Sequence, residues 1–245
     1  MAKPTKKPPF LRHKGHCPLC EEDVTFESQF AWLRDHFLCS NCQSIPRERA
    51  LMRVVEQYYP NYRDLAVHES SPAMRGVSAR LAKDCKDYSY SHYFPDITPG
   101  TLHPERGERC ENLEALTFPD QSFDLVITQD VLEHVFRPRR VFSEVARVLK
   151  PGGAHIFTVP IVRKAKRTRR RAEIQADGTI THLHEAEFHG NPVDPNGSLV
   201  TMDWGYDIAS FIQESAGTPT LMVQIDDIDA GIRAEYIEVL VSFRR

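Results

Sequence analysis

The sequence predicts an α/β fold, a parallel sheet of βαβ units with a small metal-binding module on its N-terminal side. Three observations carry this reading. From residue 64 short apolar runs alternate with amphipathic helical stretches, four of the six cysteines fall in two close pairs, and a Lys-Pro-Gly-Gly turn separates a helix from a strand. The 245 residues, 41% hydrophobic and 27% charged, suffice for a substantial core and exclude disorder as the whole story. No run reaches the ~18 apolar residues of a membrane helix. The first ten residues are basic and Pro-rich and lead into His13, Lys14 and His16 rather than an apolar stretch. Residues 1–14 therefore read as a flexible N-terminus without a secretory signal, and the protein as cytoplasmic.

Residues 15–44 read as a zinc-ribbon-like module. Cys17 and Cys20 enclose Pro-Leu, Cys39 and Cys42 enclose Ser-Asn, and eighteen residues separate the pairs. Two residues between thiolates let one tight turn present both sulfurs to one ion, and two such turns complete a tetrahedral site with zinc as the expected structural occupant. The competing reading, two reduced CxxC turns without metal or a redox pair, gives the second pair no role. Residues 45–60 follow as a connecting helix, with Ser44 as its cap, Pro46 in its first turn and Pro60 as its stop.

Residues 61–245 form the large domain. Leu65–His68 and Tyr88–His92 are its first strands, and Phe123–Thr128 is a stronger one. Val141, Phe142, Val145, Val148 and Leu149 make one helical face, which Lys150-Pro-Gly-Gly153 ends before a strand over Ala154–Val159. A helix over Tyr206–Glu214 and strands over Leu221–Ile225 and Tyr236–Phe243 complete the pattern.

Phe118-Pro-Asp-Gln-Ser-Phe-Asp-Leu-Val-Ile-Thr-Gln-Asp-Val-Leu-Glu-His-Val135, followed by Glu144-Val-Ala-Arg-Val-Leu-Lys-Pro-Gly-Gly153, closely resembles class I S-adenosylmethionine-dependent methyltransferases of the small-molecule type. The resemblance covers residues 61–162 well. Phe188–Asp194 and Trp204–Asp207 look like a segment of a subset that also carries an N-terminal cysteine module. It implies a Rossmann-like, doubly wound seven-stranded sheet and S-adenosylmethionine as cofactor. The acceptor it implies is a small or carbohydrate-like molecule, methylated on oxygen.

The cofactor residues follow from the resemblance. The loop after the first strand, glycine-rich in the family, reads His68-Glu-Ser-Ser-Pro-Ala-Met-Arg-Gly76. Glu69 takes the family's acidic position, and Ser70 and Ser71 are small, although serine does not accept positive φ as glycine does. His92 or Tyr93 stands where a carboxylate normally holds the ribose, and a neutral imidazole accepts only one hydrogen bond. Asn112 and Leu113 match the adenine pair, and Gln129 lies beside the methionine portion. The same departures leave open a catalytically inactive binding module with this fold.

For the acceptor, His134 after Glu133 is one candidate base and His189 the other. Thr181–His189 packs His182, His184, Glu185, Glu187 and His189 together. Alternation along a strand would put His182 and His184 on one face and the rest on the other, as a substrate flap or a second metal site. Residues 163–171 carry seven basic and no acidic side chains, whereas residues 172–245 carry thirteen acidic and three basic. This basic and His-rich insertion, about 163–200, reads as a grip on an anionic substrate or on RNA, or as a mobile solvated loop. An RNA-modifying enzyme is thus the remaining alternative, weakened by the lack of interleaved aromatics. The sequence sets no oligomeric state.

Overall fold

The computed structural model describes residues 8–191 and 193–245, so residues 1–7 of the expected flexible terminus lie outside the described residues. Leu11–Lys14 are already strand: β1 (Leu11–Cys17) pairs antiparallel with β2 (Glu22–Ser28). A short helix α1 (Leu33–His36) then leads to β3 (Leu38–Cys39), which pairs with β2 to complete a three-stranded ribbon.

Helix α2 (Pro46–Tyr58) has Pro46 in its first turn, as its fixed φ favours. Its N-cap is Ile45 rather than Ser44, and the Ile45 N–H is satisfied by the Glu48 carboxylate at 3.0 Å. The Ser44 hydroxyl is engaged instead by the sulfurs of Cys17 and Cys42 and by the Arg49 guanidinium at 3.0 Å.

The main sheet contains β4 (Ala66–Ser70), β5 (Asp87–Ser91), β6 (Phe123–Gln129), β7 (Leu149–Thr158), β14 (Thr220–Val223) and β15 (Val239–Phe243), in the order β5-β4-β6-β7-β15-β14. The first four are parallel, and β15 and β14 close the sheet antiparallel. This is the Rossmann-like sheet of class I methyltransferases. Among the described residues it has six continuous strands, not seven. Beyond β5, a single parallel bridge, His92 to Cys110, holds the place of the seventh. Residues 92–122 carry Pro95, Pro99, Pro104 and Pro119, which interrupt a ladder.

Alternation along the strands divides the core. Leu125, Ile127, Ala154, Ile156, Val239 and Val241 face one layer, and Val126, Phe157 and Leu240 the other. The first layer receives α2, α3 (Gly76–Asp84) and the cysteine ribbon through Phe26 and Phe37. The second receives α4 (Pro138–Val148) and α5 (Ile208–Ala216). Val141, Phe142, Val145 and Val148 are the buried stripe of α4, each side chain contributing about 1.5–3 kcal/mol when fully buried.

The ribbon therefore shares a core with the sheet. Arg49 of α2 is fully buried between them and donates to the carbonyls of Ser44, Phe37 and Gly231, while its guanidinium lies 4.7 Å over the Phe26 ring. Gly231 has φ +66, and a Cβ there would meet the Phe26 ring at 2.6 Å, so this contact needs glycine.

Residues 160–207 fold over the carboxyl end of the sheet in short pairs. β8 (Arg169–Arg170) pairs with β13 (Met202–Asp203), β9 (Ala172–Ile174) with β10 (Ile180–His182), and β11 (Phe188–His189) with β12 (Ser198–Leu199). Among the described residues no helix is long and apolar enough to cross a membrane.

Candidate active site and metal centre

The β1–β2 turn and the turn after β3 bring Cys17, Cys20, Cys39 and Cys42 into one cluster. The sulfurs of Cys17 and Cys42 are 3.7 Å apart and those of Cys20 and Cys39 3.8 Å. Zinc–sulfur bonds of about 2.3 Å in a tetrahedron put sulfurs ~3.8 Å apart, so the cluster is capable of holding such an ion. The Cys42 N–H reaches the Cys39 sulfur at 3.5 Å. Hydrogen bonding from the Cys17 thiol holds Cys42 well below the ordinary thiol range, and the same bond together with burial pushes Cys17 up. Arg49 sits beside this cluster; burial lowers its pKa to about 10, against the opposing influence of the nearby cysteine sulfurs.

At the carboxyl edge of the sheet, register aligns Ser70 of β4 with Ser91 of β5 and Thr128 of β6, and Gln129 with Thr158 of β7. Ser71 adopts φ +58 and donates its N–H to the Ser91 carbonyl at 2.7 Å. The loop that lacks glycine thus makes the left-handed turn with serine, against the sequence-based expectation, because the bond to β5 compensates for part of the strain.

Glu69 is fully buried. Its carboxylate accepts from Ser78 Oγ at 2.7 Å, Tyr88 Oη at 2.8 Å and Gln129 Nε2 at 2.8 Å, joining β4, α3, β5 and β6. Burial pushes its pKa up while these three hydrogen bonds oppose the shift. Gln129 is accordingly tied to Glu69 and to Ser78 rather than free. His92 is buried, with Nδ1 unpartnered, and burial lowers its pKa, so it is a neutral imidazole. Tyr93 is half exposed beside it. Asn112 caps its own turn, its Oδ1 accepting the Glu114 N–H at 2.9 Å, and Leu113 is buried.

Asp130, immediately after β6, has φ +51. Its carboxylate accepts from Thr158 Oγ1 at 3.0 Å, pairs with Arg47 at 2.8 Å and with Arg34. Burial would raise its pKa, but the two guanidiniums outweigh burial and hold the carboxyl well below the usual range. The cysteine module thereby reaches the mouth of the sheet through α1 and the first turn of α2. Sequence reasoning missed this clamp, since nothing in the spacing of Arg34, Arg47 and Asp130 indicates it.

The two histidine candidates converge. His134 and His189 stack edge to face with ring centroids 5.1 Å apart, and Glu133 lies 3.7 Å from His134 Nε2 and 3.8 Å from His189 Nδ1. Glu133 and Glu187 raise the pKa of His189. Glu133, Glu187 and His189 border a cavity of about 300 Å³, also lined by Arg163, Arg169, Arg171 and Asp203, and His134 stands behind them against His189. A larger groove, about 490 Å³, runs over Glu114, Leu116, Arg139 and Glu144, and no candidate residue lines it.

His182 and His184 do not join the group. The strand breaks after His182 because Leu183 and His184 both donate their N–H groups to the Arg171 carbonyl, and both histidines are exposed. Four arginines of the basic run are engaged within the fold, while Lys164, Lys166 and Arg167 are exposed. Arg169 and Arg171 converge on Asp203, Arg170 donates to the Phe136 carbonyl at 2.7 Å and Arg163 to that of Arg167 at 2.7 Å. His68 and His155, buried within β4 and β7, are lowered to about 3 by burial and are neutral core groups.

Residues 76–157 match the family described as "Methyltransferase domain", about a third of the chain, starting just after the serine loop. The chain is 29% identical over 123 residues to the ubiquinone/menaquinone biosynthesis C-methyltransferase UbiE of Hydrogenovibrio crunogenus, covering 45% of this chain and 48% of that protein. It is 38% identical over 50 residues to a ubiquinone biosynthesis O-methyltransferase of Coxiella burnetii, covering 20% and 21% of the two chains. It thus spans half or less of the length of these curated relatives. The crystal structure of an S-adenosylmethionine-dependent methyltransferase from Mesorhizobium loti shares the fold, with TM-score 0.50 and 18% identity over 80% of this chain and 98% of that one.

Proposed function

We propose that the chain transfers a methyl group from S-adenosylmethionine to an oxygen of a small or carbohydrate-like molecule, with a structural zinc on the four cysteines. One observation carries the reading: His134 and His189, fifty-five positions apart, meet at Glu133 beside a cavity at the carboxyl edge of a methyltransferase sheet. Open α/β sheets bind ligands at this edge.

The edge also fits the cofactor. In this reading Ser70 and Ser71 would offer backbone with no bulky side chain to its methionine portion, His92 and Tyr93 would meet the ribose, and Asn112, whose Oδ1 accepts the Glu114 N–H, would offer its remaining lone pair to the adenine beside Leu113. Glu69 and Gln129, joined to each other, to Ser78 and, through Glu69, to Tyr88, hold this floor in place. Bound there, S-adenosylmethionine supplies an electrophilic methyl. The chain's residues orient the acceptor in line with it and, through the group around Glu133, activate the acceptor hydroxyl.

Calorimetric titration with S-adenosylmethionine and S-adenosylhomocysteine tests this reading. One-to-one micromolar binding supports it and justifies an acceptor screen. No binding by either ligand overturns it in favour of the inactive binding module that the missing ribose carboxylate suggests.

A further inference from the structure

The buried carboxylates Glu69 and Glu133 lie at corresponding ends of neighbouring segments, yet their surroundings differ. Glu69 has a donor on each oxygen. Glu133, 2% exposed, has none on either oxygen. A buried carboxylate without donors is costly, and such groups are ordinarily paired or bound to a cation. Arg169 and Arg171 line the same cavity but engage Asp203, so they do not serve this charge.

The two imidazoles show why the position is open. His134 holds Nδ1 at 2.9 Å from the Leu199 carbonyl, which fixes the proton there and turns the lone pair of Nε2 toward Glu133. His189 holds Nε2 at 3.5 Å from the Glu187 carboxylate, which leaves Nδ1 toward Glu133. Metal-binding histidines are typically oriented in this way, the far ring nitrogen donating to a carbonyl or carboxylate. One ligand atom from each of Glu133, His134 and His189 lies within 4.8 Å of the others.

We propose that Glu133, His134 and His189 form a divalent-cation site, separate from the four-cysteine centre, whose open positions face the cavity. Two imidazoles and one carboxylate suit a borderline cation such as Mn²⁺ or Zn²⁺ rather than a soft one. Three protein ligands leave coordination sites for the oxygen of an acceptor. The proposal rests on the methyl-transfer reading only for its purpose. The cation lowers the pKa of a bound acceptor hydroxyl, whose proton leaves to solvent. The resulting oxyanion takes the methyl as the carbon–sulfur bond breaks, giving the methyl ether and S-adenosylhomocysteine, and the cation keeps its oxidation state. In this scheme the two histidines act on the proton through the cation and not by accepting it.

The test is a Mn²⁺ titration, followed by electron paramagnetic resonance, of full-length protein already carrying one zinc per chain. One further equivalent is expected to bind, and Glu133→Gln and His189→Ala to weaken it at least tenfold. Glu187→Gln, which acts through His189, is expected to weaken it less and to be rescued by no other anion. Thermal melting and S-adenosylhomocysteine binding establish that each variant is folded. Absence of Mn²⁺ binding, or binding unaffected by Glu133→Gln, overturns the site. Mn²⁺ binding without S-adenosylhomocysteine binding overturns methyl transfer and leaves the site standing, so the two failures are distinguishable.

Discussion

The two metal-competent clusters are built in opposite ways. Cys17, Cys20, Cys39 and Cys42 come from two tight turns of one ribbon, within twenty-six consecutive residues, and each pair is preformed by its own turn. Glu133 and His134 come from the segment after β6, while His189 comes from a strand pair laid across the sheet mouth. The first cluster is local chemistry in which a bound cation would tie a small module together. The second is assembled by the tertiary fold, around a hydrophobic layer made entirely of large-domain residues. Metal removal should therefore unfold one region and merely empty the other.

The largest expected effect follows from that contrast. Cys17→Ser should release zinc and cost on the order of 5 kcal/mol, because losing a structural metal removes folding free energy. Metal analysis and thermal denaturation measure both, and unchanged zinc content would break the contrast at its stronger side. Asp130→Asn should come next. It removes the carboxylate that Arg34 and Arg47 share, leaving Arg34 with Asp35 at 3.4 Å alone, at a cost of about 3 kcal/mol near neutrality. Because Asp130 is held below its unfolded pKa, its contribution is complete above about pH 4 and is lost as the pH falls through the folded value. Denaturant titrations of both proteins should show the gap narrowing in acid; a gap that widens would mean the clamp is not the source.

Two carboxylate variants sharpen the comparison further. Glu69→Gln should cost about 2 kcal/mol by weakening its three hydrogen bonds, whereas Glu133→Gln in metal-free protein should cost little, since neither oxygen of Glu133 accepts a hydrogen bond. Equal losses in denaturant melts would erase the distinction between them. The smallest effect is on Asn112→Ala, which should weaken S-adenosylhomocysteine binding roughly fivefold, the worth of about 1 kcal/mol. Unchanged affinity by calorimetry would show that Asn112 only caps its turn.

What could be read in the sequence follows the same division. The cysteine spacing, the strand at Phe123 and the helical stripe at Val141 are local periodicities, and they appear in the structure within a few residues. The ends of β4 and β7 were displaced because strand length is set by partners, not by the apolar run. His134 and His189 were each visible as histidines, but their meeting was not, and Glu133 stood in plain view as a neighbour of His134 without any sign that it was buried and unpartnered. The histidine cluster at 182–189 misled because alternation along a strand holds only where the strand continues. Within the basic run, the pairing of Arg169 and Arg171 was not legible because their acidic partners, Asp203 and Glu187, are distant in sequence.

The clamp of Arg34 and Arg47 on Asp130 has a consequence for handling the protein. It connects a thiolate centre to the edge where a nucleoside-bearing ligand is expected, and linkage between two such sites is reciprocal. If stripping the cysteines loosens the ligand, then the ligand must tighten the grip on the metal by the same factor. Protein saturated with S-adenosylhomocysteine should surrender its zinc to a chelator more slowly and at higher chelator concentration than the free protein, so occupancy of one end could be read from leakage at the other.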